Sequence, residues 1–126
     1  MTPVRFKKRV VDGVLLLDKP FGMTSNKALQ TARWHYHAAK AGHTGVLDPL
    51  ASGLMVLLIG EATKLSQYIL EGNKSYQVGL KLGLRTDTLD ITGRVIEEKP
   101  VQVSSEQVRA AALALVGDKD WQVPSY

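Results

Sequence analysis

Ala41-Gly42-His43-Thr44-Gly45-Val46-Leu47-Asp48-Pro49-Leu50-Ala51-Ser52-Gly53-Leu54-Met55-Val56-Leu57-Leu58-Ile59 joins two unlike segments. Its last six residues, Leu54 to Ile59, are apolar throughout, as expected of a strand at the centre of a sheet. The part before them, counted from Lys40, carries two Gly-flanked polar turns and an Asp-Pro step and has no sustained period. That predicts a long loop over residues 40–53, with one helical turn after Pro49. A loop of this length inside a compact domain is commonly functional.

On the N-terminal side, Gly13 to Leu17 is a short continuous apolar run and reads as a buried strand. Asp18-Lys19-Pro20-Phe21-Gly22-Met23-Thr24 reads as a loop, because Pro and Gly interrupt the run. Ser25 suits the N-cap of a helix from about Asn26 to Ala38, with Ala28, Leu29, Ala32 and Tyr36 on its inner stripe. Residues 1–12 form a basic lead-in, expected to be mobile.

On the C-terminal side, Glu61 to Glu71 fits an amphipathic helix with Leu65, Tyr68 and Ile69 inward. Lys74 to Leu82 alternates cleanly, with Tyr76, Val78, Leu80 and Leu82 on one face, which predicts a half-buried strand. Arg85 to Gly93 is turn-like, and Arg94 to Lys99 is a further strand stopped by Pro100. Ser104 and Gln107 make a capping box, flanked by Val103 and Val108 at staple positions, for a helix that Gly117 ends. The order strand, helix, loop, strand, helix, strand, strand, helix implies an α+β fold, a mixed, mainly antiparallel sheet with flanking helices.

The chain has 126 residues, 44% hydrophobic and 22% charged, enough for one core and unlike a disordered composition. Its net charge of +4 is unevenly spread. Residues 1–47 hold eight cations and two carboxylates, a balance of +6, and the remainder balances at −2. A cationic face meeting a polyanion accounts for this, and so does an ordinary solvated surface with a basic tail. No cysteine is present, which removes disulfides, thiol catalysis and thiolate metal sites together. Met1 to Val10 is too polar for a signal peptide and no apolar run approaches the roughly 18 residues of a membrane span, so a cytoplasmic protein without membrane contact is expected.

Between Asp18 and Asp48 there is no carboxylate, while Lys19, Lys27, Arg33, Lys40, His35, His37 and His43 all fall in that interval. Positive surroundings favour the charged form of a lone carboxylate, which can then act as a nucleophile. Asp before Pro is equally a good cap for a short helical turn. The three histidines lack the spacing and companions of a metal site, so no metal is expected. Gly42-His43-Thr44-Gly45 lacks P-loop spacing. Trp34, Tyr36, His37 and His43 interleave aromatic and cationic groups suited to stacking on bases, although Tyr36 on the apolar stripe is better read as packing. Tyr76 is open between core packing and a cleft position from which ring and hydroxyl could act.

Gly42 to Gly53 closely resembles the catalytic motif of TruB-type pseudouridine synthases. Gly13 to Pro20, with Gly22 and Thr24-Ser25, resembles the family's first motif. Gly60-Glu61-Ala62-Thr63-Lys64, Lys74-Ser75-Tyr76 and Leu82 to Asp90 match the segments that follow, in the family's order. The resemblance implies the pseudouridine synthase catalytic fold, of which residues 13–126 would be the N-terminal portion. It also implies isomerisation of uridine-55 in the tRNA T-loop, with the T-arm stem-loop as partner and no cofactor. The resemblance makes Asp48 the catalytic carboxylate and Tyr76 a stacking residue that moves a proton. It makes His43 a holder of the rearranged T-loop, with Gly42, Thr44 and Gly45 beside it, and Lys19 and Pro20 shapers of the pocket wall. A family member would continue past Pro124-Ser125-Tyr126 with the rest of the catalytic sheet, an Arg that pairs with the catalytic carboxylate, and a PUA domain. The chain is therefore expected to be a fragment, monomeric, and completed by a missing C-terminal part. The competing class is a non-catalytic RNA-binding or tRNA-folding module.

Overall fold

The structure, a computed structural model, describes residues 7–117, so the first half of the basic lead-in and Pro124-Ser125-Tyr126 lie outside the described residues. The chain divides into two compact units, one ending at Ser75 and the other beginning at Tyr76. The fold is α+β, with antiparallel sheets and, among the described residues, three α-helices.

The first unit is built on a three-stranded antiparallel sheet in the order β1-β3-β2, from β1 (Gly13–Lys19), β2 (Ala41–His43) and β3 (Gly53–Ile59). β3 is central, as its uninterrupted apolar composition requires. Leu15 lies opposite Leu57 and Leu17 opposite Met55, while Ala41 and His43 of β2 lie opposite Ile59 and Leu57. Residues directly opposite in an antiparallel pair share a face. All of these therefore point to the side covered by helix α1 (Ser25–His35). Ala28, Leu29 and Ala32 of α1 and Met55 and Leu57 of β3 form the core, with Leu15, Leu17, Met23, Ala41 and Leu47 packed on it. Withdrawing a leucine such as Leu57 from water is worth about 1.5–3 kcal/mol.

β1 is not buried on both faces: Val14 and Leu16 are exposed. It also runs through Asp18 and Lys19, which pair with Leu54 and Gly53. The loop expected over 40–53 begins with strand β2, too short to leave a period in the sequence. Helix α1 ends at His35, because His37 turns left-handed (φ 51°) and the amide of Ala38 donates back to the Arg33 carbonyl. Tyr36 is accordingly more exposed than a core stripe implies. The helix expected over 61–71 is a 3₁₀ turn (Gly60–Leu65) followed by the short α2 (Ser66–Leu70), and Leu65 and Tyr68 are exposed. The tighter 3₁₀ winding shifts the phase of every later side chain, so the 3.6-residue stripe fails.

The described part of the lead-in is fastened down. Arg9 exchanges backbone hydrogen bonds with His37 and Ala39, forming the fold's one parallel bridge among the described residues. Asp12 accepts from the amide of Glu61 (2.7 Å), capping the 3₁₀ turn. Gly60 is the residue that permits this approach: its φ is +61°, and a Cβ there would lie 2.0 Å from Asp12 Oδ1.

The second unit contains a hairpin of β4 (Leu84–Thr86) and β5 (Val95–Glu98), and α3 (Ser105–Ala114) with both halves of the Ser104–Gln107 capping box formed. The expected β5, the α3 cap and the left-handed Gly117 (φ 100°) are all present. Residues 74–82, expected as a half-buried strand, belong to no element, and their alternating apolar side chains are exposed. Alternation reports which face could be buried. A strand also requires a neighbour's backbone ladder, and no described strand supplies one.

Within the hairpin loop, Asp90 Oδ1 accepts from the Thr92 hydroxyl (2.5 Å), the Thr92 amide (2.7 Å) and the Thr88 hydroxyl (2.8 Å). These bonds, led by that from the Thr92 hydroxyl, hold the Asp90 carboxyl below the usual carboxylate range. Because the folded value is depressed, the stabilisation is fully present above the unfolded value near pH 3.9 and is lost as pH falls through the folded one. An NMR titration of the Asp90 carboxyl carbon should show a midpoint below that of an unstructured peptide of the same sequence. Thr92→Ala should move it back up.

Candidate functional site

The segment from Gly42 to Gly53 is the connection between two antiparallel neighbours, β2 and β3. Gly42 lies opposite Leu58, and His43 opposite Leu57 on the α1 side of the sheet, half-buried on an edge strand. Thr44 is buried, and both its amide (3.1 Å) and its hydroxyl (3.2 Å) donate to the Val56 carbonyl, extending the strand pairing by one residue. The chain then leaves the sheet at Gly45, where a side chain would meet nothing within 4 Å.

Asp48 stands on the outer part of this connection and its side chain is exposed. Its backbone carbonyl accepts from the amide of Ala51 (3.0 Å), closing a turn around Pro49 and Leu50. Its carboxylate has no hydrogen-bond or ion-pair partner among the described residues, so it does not act as the turn's cap. The turn is formed by the backbone and leaves both carboxylate oxygens for another molecule.

The residues on either side of Asp48 are held from the β1–α1 connection. The Ser25 hydroxyl donates to the Leu47 carbonyl (2.8 Å) and accepts from the Leu47 amide (2.9 Å). The amide of Gly22 donates to the Pro49 carbonyl (2.7 Å). Ser25 is only 4% exposed, and the helix cap expected of it is made by Thr24, whose hydroxyl accepts from the Lys27 amide. Ser25 is the site residue that the sequence reading missed. The signal was present: Ser25, Ala28, Leu29 and Ala32 fall at i, i+3, i+4 and i+7, so the serine belongs to the buried stripe.

Lys19 is 0% exposed, and its ammonium donates to the carbonyls of Pro20 (3.0 Å) and Met23 (2.7 Å). It folds the β1–α1 connection from within and offers no charge to the surface. Arg33 likewise spends its guanidinium on the carbonyls of Ala38 and Ala39. The +6 balance of residues 1–47 thus overstates the cationic surface. Pro20 lines an apolar depression of about 420 Å³ between β1 and α1, whose wall also includes Leu15, Leu17, Met23 and Tyr36. Lys19 pairs with Gly53 at the start of β3, His43 and Thr44 lie alongside its middle opposite Leu57 and Val56, and the Asp48 turn is tied to the β1–α1 connection through Pro49 and Gly22. Tyr76 opens the second unit and is 67% exposed. Among the described residues no three His, Asp or Glu side chains gather into a metal-binding group, and no helix is long and apolar enough to cross a membrane.

Comparison with known proteins bears on the same residues. The family model described as TruB family pseudouridylate synthase (N terminal domain) matches residues 33–126. The chain is 53% identical over 122 residues to a protein of Aromatoleum aromaticum named tRNA pseudouridine synthase B, covering 97% of the chain and 40% of that protein. Proteins of the same name from Azoarcus sp. and Escherichia coli K12 are 55% identical over 122 residues and 52% identical over 125. The chain spans about 40% of the length of the curated relatives it matches. With the Asp48 connection inside the matched region and identity above one half along nearly the whole chain, this protein belongs to the TruB family of pseudouridine synthases, to whose N-terminal domain it corresponds.

Proposed function

We propose that this chain carries the catalytic carboxylate of a tRNA pseudouridine synthase acting on uridine-55 of the T-loop. The observation that carries the proposal is Asp48: exposed, with no partner for its carboxylate among the described residues, and fixed through both neighbouring residues. Isomerisation breaks the C1′–N1 bond, turns the uracil and makes a C1′–C5 bond; the C5 proton leaves to solvent and N1 takes one up. Positive character develops at the sugar carbon, as in glycoside cleavage, and a carboxylate held there as nucleophile or charge stabiliser lowers the barrier. The target base must first leave its stack, at a cost of a few kcal/mol. In this reading Tyr76 stacks on the extruded base and moves a proton from the sugar. His43, with Gly42, Thr44 and Gly45, holds the rearranged loop, and Lys19 and Pro20 set the pocket wall from behind. Residues 13–126 act as the N-terminal portion of the catalytic domain, with a basic partner for Asp48 contributed by sequence outside this chain. No step calls for a cofactor.

The test is a T-arm stem-loop labelled with tritium at C5 of its uridines, incubated with the chain alone and with the remainder of a full-length relative supplied. Tritium release from the T-loop uridine is expected with the complete polypeptide, and weakened binding with very low turnover from the 126-residue chain. Tight RNA binding without release by the complete polypeptide would replace this reading with a non-catalytic tRNA-folding module.

A further inference from the structure

The geometry points to a second RNA-contact surface on the solvent side of α1, with Trp34 as a stacking platform for an unpaired base and Lys27 as a phosphate contact. This rests on the RNA-directed reading above and goes beyond it, because none of these residues belongs to the Asp48 neighbourhood. Lys27, Gln30, Thr31 and Trp34 follow one another at i, i+3, i+4 and i+7, which places them on one helix face, opposite the buried stripe. Together they line a depression of about 270 Å³.

Trp34 is 57% exposed, an unusual position for the largest apolar side chain on a helix whose inner face is otherwise well buried. Its ring is not loosely placed. His35 and His37 meet it edge-on, with centroids at 5.1 Å and 6.4 Å and interplanar angles of 68° and 66°. His37 is in turn fixed by the helix exit, where its amide donates to the Trp34 carbonyl (3.0 Å) and Arg33 clamps the carbonyls of Ala38 and Ala39. A ring held in advance loses little rotamer freedom when a base stacks on it.

Charge selects the partner. α1 contains no carboxylate, its last turn carries Arg33 and His35, and none occurs anywhere from Lys19 to Leu47. One aromatic ring on a polar, carboxylate-free face that carries Lys27 fits the combination of stacking and phosphate attraction by which proteins hold single-stranded nucleic acid. A protein-docking face would present more apolar area around the indole.

Trp34 and Trp121 are the only tryptophans in the chain, so a Trp121→Phe background isolates the emission of Trp34. Titration with an unmodified full-length tRNA transcript is expected to quench that emission saturably. Trp34→Ala should weaken tRNA affinity about 5- to 100-fold and Trp34→Phe should restore most of it. Lys27→Gln should weaken binding and lower the salt slope by about one. In the complete polypeptide, tritium release at saturating RNA should be unchanged by Trp34→Ala. Absent quenching together with affinity within about twofold of the parent overturns this inference and leaves the proposed activity standing, provided release continues. A parent protein that neither binds nor converts RNA removes both.

Discussion

Asp48→Asn is expected to lower pseudouridine formation by on the order of 10³-fold in the complete polypeptide while leaving RNA affinity within about threefold. Asparagine preserves the shape of the side chain and removes the charge, so whatever is lost at the reacting sugar carbon is lost to electrostatics or nucleophilicity. The structure adds a second readout. The Asp48 carboxylate has no partner among the described residues, and its turn is closed by backbone atoms, Asp48 carbonyl to Ala51 amide. The substitution should therefore leave thermal stability unchanged, within the roughly 0.5 kcal/mol typical of surface positions. Single-turnover tritium release and a melting curve on the same preparation decide the matter. Loss of both activity and stability would mean that the carboxylate holds the loop, and retained activity would remove Asp48 from the chemistry.

Ser25→Ala should give the opposite pairing of effects. The serine hydroxyl satisfies both the amide and the carbonyl of Leu47, across 22 positions of sequence and in a largely buried setting. Its removal leaves those two groups without their partner, at a cost of about 1–3 kcal/mol in stability. It also releases the residue before Asp48 from α1, leaving the Gly22–Pro49 hydrogen bond to tie the Asp48 turn to the β1–α1 connection. A displacement of about 1 Å at a reacting group can cost about 10²-fold in rate, and a loss of that order is expected in the rate at saturating RNA. The concentration of RNA giving half-maximal rate should change little, because Ser25 is buried and touches no solute. Ser25→Thr, which keeps the hydroxyl, should recover part of the rate. A variant as destabilised as expected but fully active at a temperature where it is folded would show that Asp48 needs no such tether.

The two predictions concern residues that the sequence disclosed unequally. Asp48 is conspicuous in one dimension, as the sole carboxylate in a long cationic interval, set in a Gly-rich connection ahead of an apolar strand. Ser25 lies beside a threonine at the start of a helix, and there the local rule for caps selects the wrong hydroxyl. Thr24 takes the cap, and Ser25, one residue on, rotates by about 100° into the buried face. Lys19 shows the same limit. A lysine before a proline reads as surface charge, yet two nearby carbonyls and complete burial make it an internal fastener.

By itself the sequence determined what depends on neighbours along the chain. It specified β3 as the central strand, since a six-residue apolar run has few other places to go, and the capping box of α3, since both partners lie within one turn. It also pointed to the TruB family, through motifs that include the Asp48 connection, and the family match shows that membership. Only the tertiary structure decided which hydroxyl braces that connection, where Lys19 spends its charge, that Asp12 caps a helical turn 49 residues away, and that residues 74–82 pair with no described strand. Three of those outcomes depend on a partner far along the chain or on a ladder that another strand must supply, and the fourth, at Lys19, depends on the complete burial that the closed fold imposes on a side chain whose acceptors are only one and four residues away. Periodicity records the face a residue can bury, whereas the partner it finds there is fixed only when the whole chain has closed.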